Sequence, residues 1–397
     1  MMNKRKDYMK YLIIGVSAAG MSAVKAILAK DPQGEITVVS KDDCPYSRMM
    51  MYRLLAGEMD KKDIFFEKAD FLDQKGVRWY RGREAVGGDA KAKIIRLDDG
   101  TELGYHKLLL ATGANAVIPP IPGLREAKNA HPFRDLPDEE VLNRYCGQNV
   151  KAVIIGGGLV GLDAAYAFCK RGIPVAVVEM MDRIMGLQLD FDTAKEYQKL
   201  FENAGAKFYL GRKVEKVVLD CDFADSVELD NGASIPCDVI VAAAGVRPNV
   251  ALAEKLGLEV NRGIVVNDRM ETSVAGIYAA GDVTGLSGVW QSAMAQGKVA
   301  GENMSGGEVA YGDQFAQRNM FNYFGEMAVS LGDISAPDAE ILIQHEGRST
   351  IKVFHRDGIV LGAILQRDIM KASLWQKIIE EKISIEPFKA DLFHINL

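Results

Sequence analysis

The stretch Val153-Ile154-Ile155-Gly156-Gly157-Gly158-Leu159-Val160-Gly161 decides the fold. An apolar run ends at three glycines and passes into residues that favour helix. That order predicts a buried strand, a tight turn and a helix whose first N–H groups are free to meet a pyrophosphate. Gly156 suits the tight turn, Gly158 lets the backbone approach the phosphates, and Gly161 lets helix and strand pack closely. The helix is expected over about 160–171 and a second strand over Val175–Glu179, with Gly172-Ile173-Pro174 between them. Glu179 ends that strand, where a carboxylate accepts hydrogen bonds from a ribose 2′-hydroxyl. Its charge repels a 2′-phosphate, and Met180 and Met181 offer no cation. NADH is therefore favoured over NADPH, with Arg183 the one nearby residue that argues the other way.

The same turn occurs earlier, as Leu12-Ile13-Ile14-Gly15-Val16-Ser17-Ala18-Ala19-Gly20. A strand over 11–15, a helix from about Ala19 to Lys30 and a strand over Glu35–Ser40 are expected around it. This copy is less regular. Ser17 replaces the middle glycine, and Ser40 stands where an acid would bind a ribose. Both hydroxyls are small enough to sit beside a nucleotide and can hydrogen-bond to it.

The repetition continues beyond the turns. Leu97-Asp98-Asp99-Gly100 precedes the buried run 108–113, and Leu229-Asp230-Asn231-Gly232 precedes the buried run 239–245. Each reads as a hairpin turned at Asp-Gly or Asn-Gly, followed by a strand that returns to the sheet. A duplicated unit explains this order. Ile118-Pro119-Pro120-Ile121-Pro122-Gly123 is a linker, and Gly245-Val246-Arg247-Pro248-Asn249 closes the second half. Beyond Gly312 the pattern changes to a hairpin over Ile351–Leu365, turned at Asp357-Gly358, and a helix from about Met370 to Glu381. The expected fold class is α/β, with two Rossmann-like, three-layer dinucleotide-binding domains and a small α+β C-terminal domain.

Composition narrows the function. At 397 residues the chain is long enough for two to four domains of roughly 100–200 residues each. A net charge of −6 argues against nucleic acid as a partner. The five cysteines, Cys44, Cys146, Cys169, Cys221 and Cys237, never form a C-x-x-C pair, which excludes an evident zinc ribbon or iron–sulfur cassette. No metal site is expected, and a reducing cytoplasm fits. The basic Met1–Lys10 followed by apolar Tyr11–Met21 imitates a signal peptide, but the same residues build the first strand and turn. No run reaches the ~20 apolar residues of a membrane span.

A third motif, Gly276-Ile277-Tyr278-Ala279-Ala280-Gly281-Asp282-Val283, reads as a strand ending in Gly-Asp. Here the chain resembles the two-dinucleotide flavoprotein reductases, the pyridine nucleotide–disulfide oxidoreductase superfamily. The resemblance covers about 310 residues and four ordered motifs. It implies that Gly281 and Asp282 bind FAD and that Ala111-Thr112-Gly113 is the turn where the first hairpin returns to the FAD domain. Pro45-Tyr46-Ser47-Arg48 and Leu54-Leu55-Ala56-Gly57 resemble the branch containing NADH:rubredoxin reductases, ferredoxin reductases and the FAD portion of nitrite reductases. That branch implies a FAD contact for Arg48 and a cation near the flavin at Arg53; His131-Pro132-Phe133-Arg134 implies a further FAD contact through Arg134.

On this reading the FAD residues are Gly15, Ser17, Ala18, Ala19, Gly20, Ser40, Lys41, Arg48, Arg53, Val86, Ala111, Thr112, Gly113, Arg134, Gly281, Asp282 and Trp290. The NAD(H) residues are Gly156, Gly158, Leu159, Val160, Gly161, Asp163, Glu179, Ala244 and Gly245. Residues 1–117 and 243–313 form the FAD domain, 118–242 the NAD(H) domain and 314–397 an interface domain. The stretch Phe321–Gly325 is implied to lie near the flavin ring.

Two departures matter. Asp163 replaces the family's glutamate and is one methylene shorter; it could reach the nicotinamide amide or an Arg or Lys near the flavin. The helix that carries redox cysteines in the disulfide reductases reads Met49-Met50-Met51, and a thioether cannot cycle through a disulfide. Cys44 lies before that helix. His106, His345, His355 and His394 are expected to be surface or structural, since the flavin carries the chemistry.

The resemblance implies an FAD-dependent NAD(P)H oxidoreductase that passes electrons to a small electron-carrier protein or an iron–sulfur partner subunit. A flavin subunit of a larger oxidoreductase, an NADH oxidase or peroxidase, and a non-enzymatic FAD/NAD sensor remain as alternatives. Homodimer and hetero-oligomer both stay open. The C-terminal Phe388–Leu397 reads as a partner contact or a buried strand.

Overall fold

The computed structural model describes residues 8–68, 70–312 and 318–388. Residues 389–397 of the C-terminal stretch, His394 among them, lie outside the described residues. The chain divides into two compact units: Met1–Arg48, Lys61–Asn115 and Arg247–Gly312 form the first, and Met49–Asp60, Ala116–Val246 and Asp313–Leu397 the second.

The first unit is built on a parallel sheet whose strands lie in the order Ile277–Ala279, Lys107–Leu110, Lys10–Ile14, Glu35–Ser40, Arg78–Arg81. Leu12, Ile13, Val38, Val39, Leu108 and Leu109 are all buried, as a strand covered on both faces requires. Helix Ala18–Lys30 packs on helix Trp290–Met304 at unusually close range. A Cβ on Gly297 would lie 2.1 Å from the Ala19 carbonyl oxygen, and one on Gly301 would lie 2.5 Å from that of Ala23. A three-stranded antiparallel layer, Ala85–Asp89, Ile94–Leu97 and Glu102–Gly104, belongs to the same unit.

The second unit repeats this plan. Its parallel sheet runs Ala206–Leu210, Val175–Glu179, Ala152–Ile155, Val239–Ala242, Ala130–Pro132. Read from the strand before each glycine turn, the two sheets have the same neighbours on both sides. They differ at one edge, where the first unit uses a late strand and the second an early one. The antiparallel layer recurs as Val214–Asp220, Phe223–Leu229 and Ser234–Pro236. Both hairpins expected at Asp99-Gly100 and Asn231-Gly232 are present.

The second unit also contains a five-stranded antiparallel sheet and helix Ala372–Glu380, which share a core of Val329, Leu331, Val353, Leu365 and Trp375. The hairpin expected over 351–365 is its pair Ser349–Arg356 and Ile359–Gln366. This sheet is tied to helix Phe191–Asn203 by polar contacts. Lys352 pairs with Asp190 at 2.6 Å, the Gln366 amide donates to Glu196 at 3.1 Å, and the Tyr197 hydroxyl donates to the Glu326 carbonyl at 3.3 Å. None of the described helices is long and apolar enough to cross a membrane.

Candidate functional site

The two glycine turns are near copies in three dimensions. Gly15 has φ +115° and Gly156 φ +114°, a backbone region closed to most L side chains. A Cβ on Gly15 would lie 2.2 Å from the Ala111 carbonyl oxygen, and one on Gly156 would lie 2.4 Å from that of Ala243. Five residues on, a Cβ on Gly20 would meet the Gly15 oxygen at 2.0 Å, and one on Gly161 the Gly156 oxygen at 1.9 Å. Each turn is thus locked against the strand that returns beside it. Gly158 has nothing within 4 Å of its Cβ position, so the backbone there is open to a close ligand.

The helices that follow are left uncapped. Neither Ser17 nor Gly158 makes a side-chain cap, and neither helix has an acid in its first turn. Helix Leu136–Asn143 shows the contrast, with a capping box between Asp135 and Asp138. The free N–H groups and positive helix ends of the two turns suit an anion. A pyrophosphate fits both, which is the observation on which the chain accommodates FAD and NAD(H).

Around the second turn, Glu179 Oε2 accepts the Gly157 N–H at 2.6 Å and Oε1 accepts the Met181 N–H at 2.7 Å. The carboxylate is held at the lip of the turn and stays partly exposed. Arg183 faces other work: its guanidinium donates to the carbonyls of Leu189 and Gly186 and pairs with Asp182 at 2.9 Å. It fastens its own loop. Leu159 and Val160 open the helix, and Ala244 and Gly245 follow the strand Val239–Ala242, both exposed.

Asp163 has a partner within the protein that sequence reading did not name. Among the described residues no cation pairs with it; its partner is Tyr323, whose hydroxyl donates to Oδ1 at 2.8 Å. Arg53, the cation expected near the flavin, pairs with Glu58 at 3.0 Å. Glu58 also accepts the Tyr166 hydroxyl at 2.6 Å and pairs with Lys170 at 3.3 Å. Burial pushes the Glu58 carboxyl up, but the bonds from Tyr166, Arg53 and Lys170 outweigh it and hold it below its ordinary value. Tight surroundings drive the Asp163 carboxyl up to about 7, with the Tyr323 bond pulling it back. The phenol of Tyr323 is pushed well above its ordinary value, first by burial and then by the neighbouring Asp163.

Around the first turn, Ser40 has partners within the protein. Its hydroxyl donates to the Asp42 carbonyl and accepts the Trp79 indole N–H at 3.0 Å, and the residue is buried. Its proton is directed to the Asp42 carbonyl. Ser17 is partly exposed at the turn beside buried Ala18 and Ala19. Lys41 pairs with Glu84 at 2.9 Å, and Arg48 pairs with Asp42 at 3.0 Å while lying over the Tyr46 ring at 5.0 Å. Val86 is exposed, and its carbonyl accepts from Lys255. Thr112 donates to the Asn249 carbonyl at 2.9 Å, and Gly113 has φ +67°.

Gly281, at φ +84°, donates its N–H to Gln296 at 2.8 Å, and Asp282 opens a short 3₁₀ turn. Gln296 is fully buried and also accepts from Thr284. Sequence reading missed it, because a lone glutamine in a helix gives no signal. Trp290 packs edge-on against Phe66 with centroids 5.2 Å apart. Arg53 and Arg134 belong to the second unit, whereas the other FAD candidates belong to the first.

The methionine run is only partly helical: Met49 and Met50 sit in the 3₁₀ turn Arg48–Met50, and the helix begins at Met51. Cys44 is buried, and burial together with Asp43 pushes its thiol up to about 12. It is a poor nucleophile at neutral pH. Among the described residues no cluster of His, Cys, Asp and Glu could hold a metal ion. His355 is buried in the third sheet and His345 bonds Thr350, as structural histidines would.

The chain is similar along almost its whole length to the NADH-dependent phenylglyoxylate dehydrogenase subunit epsilon of Aromatoleum evansii, with 31% identity over 406 residues, 98% of this chain and 96% of that one. It is 29% identical over 333 residues to the NADH-rubredoxin oxidoreductase of Clostridium acetobutylicum, covering 82% of each. Among solved structures, a NAD-dependent persulfide reductase from A. fulgidus superimposes with a TM-score of 0.89 at 26% identity, covering 98% of this chain and 79% of that one. Residues 9–297 match the family described as Pyridine nucleotide-disulphide oxidoreductase. The chain belongs to that family, and it is an FAD-dependent NAD(P)H oxidoreductase.

Proposed function

We propose that this chain oxidises NADH through FAD and delivers the electrons to a separate redox protein, a small electron carrier or an iron–sulfur subunit. One observation carries the reading. Two dinucleotide turns are intact, yet the one thiol near the methionine turn, Cys44, is buried with its pKa near 12. Electrons have no internal dithiol to enter, so they leave to an outside acceptor. The similarity to an NADH-rubredoxin oxidoreductase supports this.

Gly156, Gly158 and Gly161 bring backbone N–H groups to the NADH pyrophosphate, with Leu159 and Val160 at the helix start. Glu179 accepts the adenosine ribose hydroxyls. Gly15, Ser17 and Gly20 do the same for the FAD pyrophosphate, and Arg48, Lys41, Thr112 and Asp282 surround the rest of that group. Bound FAD accepts a hydride and releases electrons singly or in pairs. The FAD domain comprises 1–117 and 243–313, the NAD(H) domain 118–242 and the interface domain 314–397. Five free cysteines fit the reducing cytoplasm.

A second reading is favoured by the first relative, a subunit that this chain covers over 96% of its length. Here the chain is the flavin subunit of a larger dehydrogenase. Anaerobic NADH should bleach the yellow protein under both readings. A copurifying iron–sulfur subunit that accepts the electrons supports the second, and fast transfer to free rubredoxin or ferredoxin supports the first. Reoxidation by air as fast as by either carrier would overturn both in favour of an oxidase.

A further inference from the structure

Gly157, the middle residue of the second glycine turn, is buried and held at both ends of its backbone. Its N–H goes to Glu179 Oε2 at 2.6 Å, and its carbonyl oxygen accepts the Met185 N–H at 2.8 Å. The Gly156 N–H is likewise taken, by the Val178 carbonyl at 2.9 Å. Gly158 therefore carries the first N–H of the turn that is left for an anion. A trans peptide is planar, with its C=O and the following N–H pointing opposite ways. Pinning the Gly157 carbonyl to Met185 thus fixes the direction of the Gly158 N–H, away from Met185. Gly158 is also where the backbone is open, with nothing within 4 Å of its Cβ position.

Met185 holds an unfavourable backbone to make that bond. Its φ is +45°, a left-handed conformation that methionine rarely adopts, and its side chain is buried. Such a residue persists where its surroundings over-determine it. Arg183 is part of those surroundings. Its Nη2 donates to the Gly186 carbonyl at 3.1 Å and its Nε to the Leu189 carbonyl at 3.2 Å, so one planar guanidinium spans the residues that follow Met185. The Met185 carbonyl accepts the N–H groups of Gln188 and Leu189, each at 2.8 Å. The loop is also fixed at both ends. The Met181 carbonyl accepts the Gly211 N–H at 2.8 Å before it, and Asp190 pairs with buried Lys352 at 2.6 Å where it finishes.

We propose that Arg183 is a positioning residue for the dinucleotide. By holding loop 182–190 in one shape it keeps the Met185 N–H on Gly157, and so aims the Gly158 N–H at the pyrophosphate. The role requires the fork of the guanidinium rather than its charge. Lysine keeps the charge but lacks the planar fork that bonds both carbonyls. The proposal rests on the NAD(H) reading of the second turn.

The test compares Arg183→Lys and Asp182→Asn with the unmodified holoenzyme, by calorimetric titration with NAD⁺ and by steady-state rates with NADH. Arg183→Lys should raise the Kd for NAD⁺ and the KM for NADH together by about fivefold, the worth of one well-aligned hydrogen bond, with kcat little changed. Asp182→Asn removes the exposed ion pair and spares both carbonyl bonds, so it should leave the Kd for NAD⁺ as it was. An unchanged Kd in Arg183→Lys, or an equal loss in Asp182→Asn, overturns the proposal. A fall in kcat as large as the rise in KM shows general loosening and overturns it too. Amide hydrogen exchange of the unmodified, ligand-free protein does not depend on how the variants fold. The Met185 N–H should be among its slowly exchanging amides, and fast exchange there overturns the proposal. Failure of the unmodified protein to bind NAD⁺ overturns the NAD(H) reading itself.

Discussion

The Tyr323 hydroxyl donates to the Asp163 carboxylate at 2.8 Å, across 160 residues of sequence. It is one contact through which the five-stranded antiparallel sheet reaches helix Leu159–Lys170, beside the packing of Tyr166 on Tyr323 and Phe324. The carboxyl pKa rises from 3.8 to about 7 in the folded protein. A raised carboxyl pKa favours folding below the unfolded value and loses that contribution as pH climbs to the folded one. Wild-type stability should therefore fall relative to Asp163→Asn between about pH 4 and about pH 7, by a few kcal/mol at most, and the difference should level off above. Urea unfolding at a series of pH values measures this, and a constant difference would contradict it.

The two glycine turns should fail separately. Gly20→Ala drives a methyl against the Gly15 carbonyl oxygen, and Gly161→Ala drives one against that of Gly156. Overpacking of this kind costs about 1–3 kcal/mol or more. Gly20→Ala should purify with little flavin. Gly161→Ala should stay yellow but resist bleaching by NADH at concentrations that bleach the unmodified protein. Circular dichroism confirms that each variant is folded. Reversed phenotypes would exchange the two cofactor assignments.

Glu179 binds far from the transferred hydride. Glu179→Ala should raise KM for NADH about tenfold, equivalent to about 1.4 kcal/mol, with kcat little changed. Arg183 is fastened to Gly186, Leu189 and Asp182, so the variant should gain little for NADPH. An unchanged KM for NADH would remove Glu179 from the site.

Cys44 should be dispensable. With its thiol held near 12, almost none is thiolate at neutral pH. Cys44→Ser should transfer electrons from NADH to a carrier protein within about twofold of the unmodified rate, and thiol alkylation of the native protein should leave it active. Loss of transfer in either experiment would restore a thiol mechanism.

Much of this was legible in the sequence because the signals are local. The strands Glu35–Ser40 and Val175–Glu179 have the bounds that their apolar runs and flanking turns predict. The hairpins turn where Asp-Gly and Asn-Gly place them. What escaped depends on partners distant in sequence. The Ser40 hydroxyl is taken by Trp79, 39 residues away, and Asp163 by Tyr323. Arg53 has the charge expected of it, but Glu58 lies five residues on and claims it. Composition and spacing show which groups carry charge; only packing shows which of them remain available.

The central claim is that NADH reduces FAD here and that the electrons pass to a separate redox protein. The most direct measurement is an anaerobic titration of the purified yellow protein with NADH, followed by addition of oxidised rubredoxin, ferredoxin or a copurifying iron–sulfur subunit. The flavin absorbance should bleach with one NADH per chain and return at once when the carrier is added, far faster than in air. Absorbance that NADH does not change, or that air restores as quickly as the carrier, would contradict the account.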